Sequence, residues 1–171
     1  MTAALVVAVG CAVALLGVLI AGRRRNRRRT PARLDVGATD ALVGTAPDGR
    51  ALVIDLAALG DRTLVAFLTS TCVSCRVLWA DLATDVPTRL PVGTGVLIVT
   101  EDGSHERVRA VRELAPRGVP LVMSSATWHR YGVSVAPTFV LVDGATGRVL
   151  ARGTAANGAE VLRLAWAETG S

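Results

Sequence analysis

Thr63-Leu-Val-Ala-Phe-Leu-Thr69-Ser-Thr-Cys72-Val-Ser-Cys75-Arg-Val-Leu78 runs from an uninterrupted apolar stretch into two cysteines three residues apart. The apolar run reads as a buried strand, and the segment after it, with Val73, Val77, Leu78 and Leu82, as a helix. A helix N-terminus presents unpaired N–H groups and partial positive charge, which favours thiolate over thiol, and the thiolate is the nucleophile in disulfide exchange. On this reading Cys72 attacks and Cys75 resolves. Spacing and context leave two other readings open. One is half of a zinc site, for which His105 and His129 are the remaining candidate ligands although they form no ligand pair. The other is a structural role, as a fixed disulfide or as two packed thiols.

A second segment, Tyr131-Gly-Val-Ser-Val-Ala-Pro137-Thr-Phe-Val-Leu-Val-Asp143, sets a proline just ahead of an apolar run. Proline cannot donate to a sheet ladder, so the start of a strand is a permitted place for it, and its ring fixes how the chain enters. An X-Pro bond also adopts the cis form at modest cost; a trans proline marking an ordinary turn is the reading for an arbitrary proline, but not the one favoured at this position.

The order of these parts, an apolar strand, Cys72-x-x-Cys75 on a helix, a strand, a helix, then Tyr131-Gly-Val ahead of Ala136-Pro137-Thr138 and a hairpin, resembles the thioredoxin-like superfamily over roughly residues 40 to 168. Within it, the stretch 67–78 behind an apolar N-terminus looks most like the membrane-tethered TlpA-type proteins, especially the MauD type. The resemblance implies a three-layer α/β/α sandwich around a mixed sheet, with Pro137 as a cis-proline facing the dithiol. It also implies that Ala136, Pro137 and Thr138 hold the backbone of a bound client. Many relatives carry Trp before the first cysteine and Pro or His inside the motif, where this chain has Thr71, Val73 and Ser74. Thioredoxin keeps a buried acid six residues before its first cysteine; Ala66 stands there here. Arg76 is a candidate for thiolate support, against the plainer reading of a solvated arginine. A peroxiredoxin, whose cysteine follows Pro-x-x-x-Thr-x-x-Cys, is a rival in the same fold: Thr69 fits, but Val65 occupies the proline place.

From Ala3 to Gly22 no charge interrupts a run rich in Ala, Val and Leu, long enough to cross about 30 Å of hydrocarbon. It reads as a retained transmembrane helix rather than a cleaved signal peptide, because no basic region precedes it. Cys11 is read as a small residue of that helix. Arg23-Arg-Arg-Asn-Arg-Arg-Arg29 follows at once and holds the excess positive charge, since beyond Arg33 twelve arginines face fourteen acids. A basic run beside a membrane span is a topology determinant, and the rest of the chain has no basic excess that would indicate nucleic acid. The arginines predict a cytoplasmic domain, whereas the TlpA/MauD resemblance implies the outer face of a bacterial inner membrane, where disulfides persist. The predicted organisation is an anchor over 1–22, an Arg-rich linker over 23–39 and one domain over 40–171, a usual single-domain size.

Along that domain, Asp40–Thr45 and Ala51–Ile54 flank a Pro47-Asp48-Gly49 turn, and Leu64–Leu68, Val96–Thr100 and Val119–Met123 read as strands. Ser104–Ala115 reads as a helix with Val108, Val111 and Ala115 on one face, and Ser125–Tyr131 as a short helix. Its Trp128 is expected in the core, with a substrate groove near Pro137 as the alternative. Gly144-Ala-Thr-Gly147 closes a hairpin, and Asn157 with Glu160 resembles a capping box for a last helix carrying Val161, Leu164 and Ala165. The expected activity is thiol–disulfide oxidoreduction with a protein disulfide as client, possessing no metal or organic cofactor beyond the Cys72/Cys75 pair. A separate electron donor or acceptor protein is implied, because one dithiol turns over once. A redox-inactive binding module is the alternative of another class.

Overall fold

Three strands with β-branched and aliphatic residues on both faces build the centre of the molecule. The computed structural model describes residues 41–167. In β3 (Arg62–Phe67) Leu64 and Ala66 face one side of the sheet and Val65 and Phe67 the other; β4 (Thr94–Thr100) and β6 (Thr138–Asp143) alternate the same way, with Val96, Ile98, Phe139 and Leu141 opposite Leu97, Val99, Val140 and Val142. The other strands are β1 (Leu42–Thr45), β2 (Ala51–Ile54), β5 (Leu121–Met123) and β7 (Val149–Gly153). The sheet order is β2-β1-β5-β4-β3-β6-β7, with β3, β4 and β5 parallel and the remaining neighbours antiparallel.

The two faces are covered unequally. One carries α1 (Cys75–Ala83), α2 (Asp85–Arg89), α3 (Val108–Leu114) and α5 (Gly158–Ala167), which add Cys75, Leu78, Trp79, Leu82, Val86, Val111, Val161 and Leu162 to the core. Among the described residues the opposite face has only α4 (Ser125–Arg130), with Trp128 and the following Tyr131 packed on Phe67. The sandwich is therefore three-layered with one thin layer, and Trp128 belongs to its core.

Local expectations are corrected or extended in three places. α1 begins at Cys75, and its buried residues at 75, 78, 79 and 82 form a helical stripe, so Val73 and Val77 lie on the solvent side. α3 begins at Val108, not Ser104, because Asp102 accepts hydrogen bonds from the Ser104 backbone and hydroxyl and closes a turn there. The buried stripe of α5 also takes in Leu162, beside Val161 and Ala165, while Leu164 packs against the same core partly buried. The last helix is capped as read: Asn157 accepts from Glu160 N at 3.1 Å, while Glu160 reaches back to Ala156 N at 2.8 Å.

The predicted anchor, Cys11 and the arginine run lie outside the described residues. Among the described residues no helix is long and apolar enough to cross a membrane.

Candidate functional site

Because β3 and β4 are adjacent and parallel, the loops leaving their C-terminal ends meet at one edge of the sheet. The loop after Phe67 carries the dithiol. Thr69 organises it from both ends: its hydroxyl accepts from Cys72 N at 3.2 Å and its carbonyl accepts from the Trp79 indole N–H at 3.3 Å. Cys72 and Val73 then give their carbonyls to Cys75 N and Arg76 N, so Cys72 sits in a turn just ahead of α1, one turn earlier than a position inside the helix.

The two thiols have different surroundings. Cys72 is half-buried and reachable from solvent, whereas Cys75 is fully buried. Burial pushes the Cys75 thiol up to about 12 from an ordinary 9.0, and a hydrogen bond with Cys72 and the negative charge of Glu106 push the same way against a lowering contact with Thr69. Since the folded pKa is raised, the buried thiol contributes stability that is complete below pH 9.0 and is lost as pH rises toward 12. We expect the Cys75 Cβ chemical shift of the reduced protein to show no ionisation below about pH 10. A midpoint near the ordinary value would contradict the burial described here.

The second loop brings a residue that sequence reading missed. Glu106 is 7% exposed, and both its carboxylate oxygens accept from Ser70 N at 3.1 Å, with the Ser70 hydroxyl donating to Oε2. Among the described residues it forms no ion pair, so its charge is held by hydrogen bonds alone, two residues before Cys72. The available signal was an acid shortly after a strand whose C-terminal end lies beside the dithiol strand. Replacing Glu106 with Gln keeps an acceptor for Ser70 and deletes the charge, so the Cys75 ionisation moves down from about 12 yet stays above 9.0, because burial remains the larger cause. The same chemical-shift titration reads this.

Opposite the dithiol, the Ala136-Pro137 bond is cis, and the Cys72 thiol lies 3.8 Å from the Ala136 carbonyl as donor. Thr138 opens β6 in register with Phe67, and its hydroxyl donates to Val135 O at 2.7 Å. The structure thus brings Cys72, Cys75, Ala136 and Pro137 together, with Thr138 directly behind. Arg76 is exposed on α1 and makes no hydrogen bond to either sulfur, and it does not figure among the charges acting on Cys75. His105 lies exposed beside Asp102, and among the described residues no three His, Cys, Asp or Glu side chains gather as a ligand set.

No protein-family model matches the chain, and no curated protein matches it. Solved structures do. The chain is similar to a thiol:disulfide interchange protein from Bacteroides sp., at 18% identity over 72% of this chain and 83% of that one, with a TM-score of 0.53. It is similar to the exposed lipoprotein thioredoxin of Streptococcus pneumoniae, at 19% identity over 68% and 90%, with a TM-score of 0.53. A thioredoxin-like protein from Aeropyrum pernix is similar at 18% identity over 71% and 87%, with a TM-score of 0.54. At these identities the likeness is one of architecture: the chain has the thioredoxin-like fold.

Proposed function

We propose that this chain is a thiol–disulfide oxidoreductase that exchanges the Cys72/Cys75 dithiol with disulfides of client proteins. The observation that carries the reading is the pairing of a reachable Cys72 with a buried Cys75, set against the Ala136-Pro137 loop at 3.8 Å. The names of two similar structures, a thiol:disulfide interchange protein and a thioredoxin, support it.

In the reductive direction Cys72 gives its proton to solvent and the resulting thiolate attacks one sulfur of the client disulfide. That bond breaks, the departing client thiolate takes a proton from water, and a bond forms between Cys72 and the client. Cys75 then releases its proton to solvent and attacks Cys72 Sγ, which breaks the mixed disulfide and expels the second client thiolate, and this thiolate also takes a proton from water. The client gains two electrons and two protons, and the Cys72/Cys75 pair loses them. A separate thiol donor protein restores the dithiol, and the whole sequence runs in reverse with an acceptor. Ala136, Pro137 and Thr138 hold the client backbone beside Cys72.

The proposal includes a membrane tether through residues 3–22 and, on the MauD resemblance, a maturation role for a particular disulfide-bearing client. The arginine run favours the cytoplasmic face. Labelling an introduced domain cysteine from outside intact cells, with the native thiols masked, decides the face. For the activity, the purified chain is expected to catalyse insulin disulfide reduction by dithiothreitol. No acceleration over dithiothreitol alone would leave a binding module, and peroxide consumption faster than insulin reduction would favour the peroxiredoxin reading.

A further inference from the structure

Val73, Val77 and Val135 are 81%, 52% and 60% exposed, and all three lie on the two segments that meet where Cys72 Sγ approaches the Ala136 carbonyl. Exposed valines elsewhere, such as Val43, Val53 and Val92, are ordinary features of a protein surface. These differ because they share the two segments that bring Cys72 and Ala136 together. Val73 lies between the two cysteines, Val77 follows four residues on at the start of α1, and Val135 immediately precedes Ala136. Among them lie the exposed, uncharged Thr71, Ser74 and Ser134 and the exposed Arg76. Over 71–77 and 133–137 the only charge is Arg76, and there is no carboxylate.

We propose that this apolar collar selects client disulfides whose reacting cysteine is flanked by aliphatic and not by basic residues. The inference rests on the exchange reaction proposed above and names its substrate class. The occupant follows from the chemistry: a disulfide sulfur can reach Cys72 Sγ only if the residues on either side of it lie over the neighbours of Cys72. Aliphatic flanks then remove both their own surface and that of the valines from water, while a lysine flank loses its hydration beside apolar carbon and meets the like charge of Arg76.

The test uses the wild-type chain and two peptides, each closed by one disulfide and identical except for valine or lysine on both sides of the reacting cysteine. Each rate of reduction is divided by the rate of the same peptide with dithiothreitol, which removes the intrinsic reactivity of the disulfide. The valine peptide is expected to be preferred about tenfold, and a Val73→Ser, Val135→Ser double variant to reduce that preference to about threefold or less. Equal normalised rates in the wild type, or an undiminished preference in the double variant, would overturn the collar. Bis(2-hydroxyethyl) disulfide, which has no flanking residues, separates the two levels of the argument. If the wild type fails to exchange with it, the exchange reaction itself is wrong; if it exchanges but does not discriminate between the peptides, only the collar is.

Discussion

Cys72→Ser is expected to abolish catalysed disulfide exchange, with insulin reduction falling to the rate of dithiothreitol alone. The reason is access. Cys75 remains as a thiol in that variant, but it is fully buried, and burial, the largest cause of its raised pKa, persists without Cys72, so at neutral pH it is mostly protonated and its sulfur has no route to a client. Losing the attacking sulfur leaves no second nucleophile to supply even a slow turnover. Cys75→Ser has a different consequence: the first attack still takes place, but the mixed disulfide has no resolving thiol. Residual turnover in Cys72→Ser above a few per cent of wild type would place the reacting sulfur elsewhere.

The largest effect on stability is expected at Phe67, the last residue of β3. Its ring is fully buried, meets the Trp128 ring edge-on with centroids 5.5 Å apart, and lies 5.7 Å from the Tyr131 ring. Among the described residues these contacts attach the one short helix on this face, so little else there can close over the space the ring leaves. Phe67→Ala should destabilise the protein by about 3–5 kcal/mol in denaturant unfolding. Phe67 also pairs with Thr138, directly after Pro137, so exchange should fall together with stability. A loss below about 1 kcal/mol would mean that the thin layer is held by other contacts.

Much of this architecture was legible in the chain because its central strands are apolar on both faces and punctuated by turn residues. The strands at 64–68, 96–100 and 139–142, the hairpin at Pro47-Asp48-Gly49 and the Asn157/Glu160 cap all follow from local chemistry that tertiary contacts then reinforce. What was hidden depends on distance along the sequence. Glu106 and Ser70 are far apart in the chain and meet only because β3 and β4 are parallel neighbours, so no local pattern marks that carboxylate as buried. The same inward turn of Glu106, with Asp102 gathering the Ser104 donors, delays α3 to Val108. The apolar residues after the cysteines do not by themselves fix the phase of α1; the buried stripe is set by Cys75, Leu78, Trp79 and Leu82, which leaves Val77 facing water. The short helix Asp85–Arg89 has Pro87 within its first turn, a tolerated position that reads locally as a break.

The most direct measurement is a trap. Incubating the Cys75→Ser chain with a disulfide-bearing protein and locating the covalent adduct by mass spectrometry should give a mixed disulfide at Cys72, released by dithiothreitol and absent when Cys72 is also replaced by serine. An adduct-free Cys75→Ser protein that is folded and has a reduced Cys72 would contradict the account.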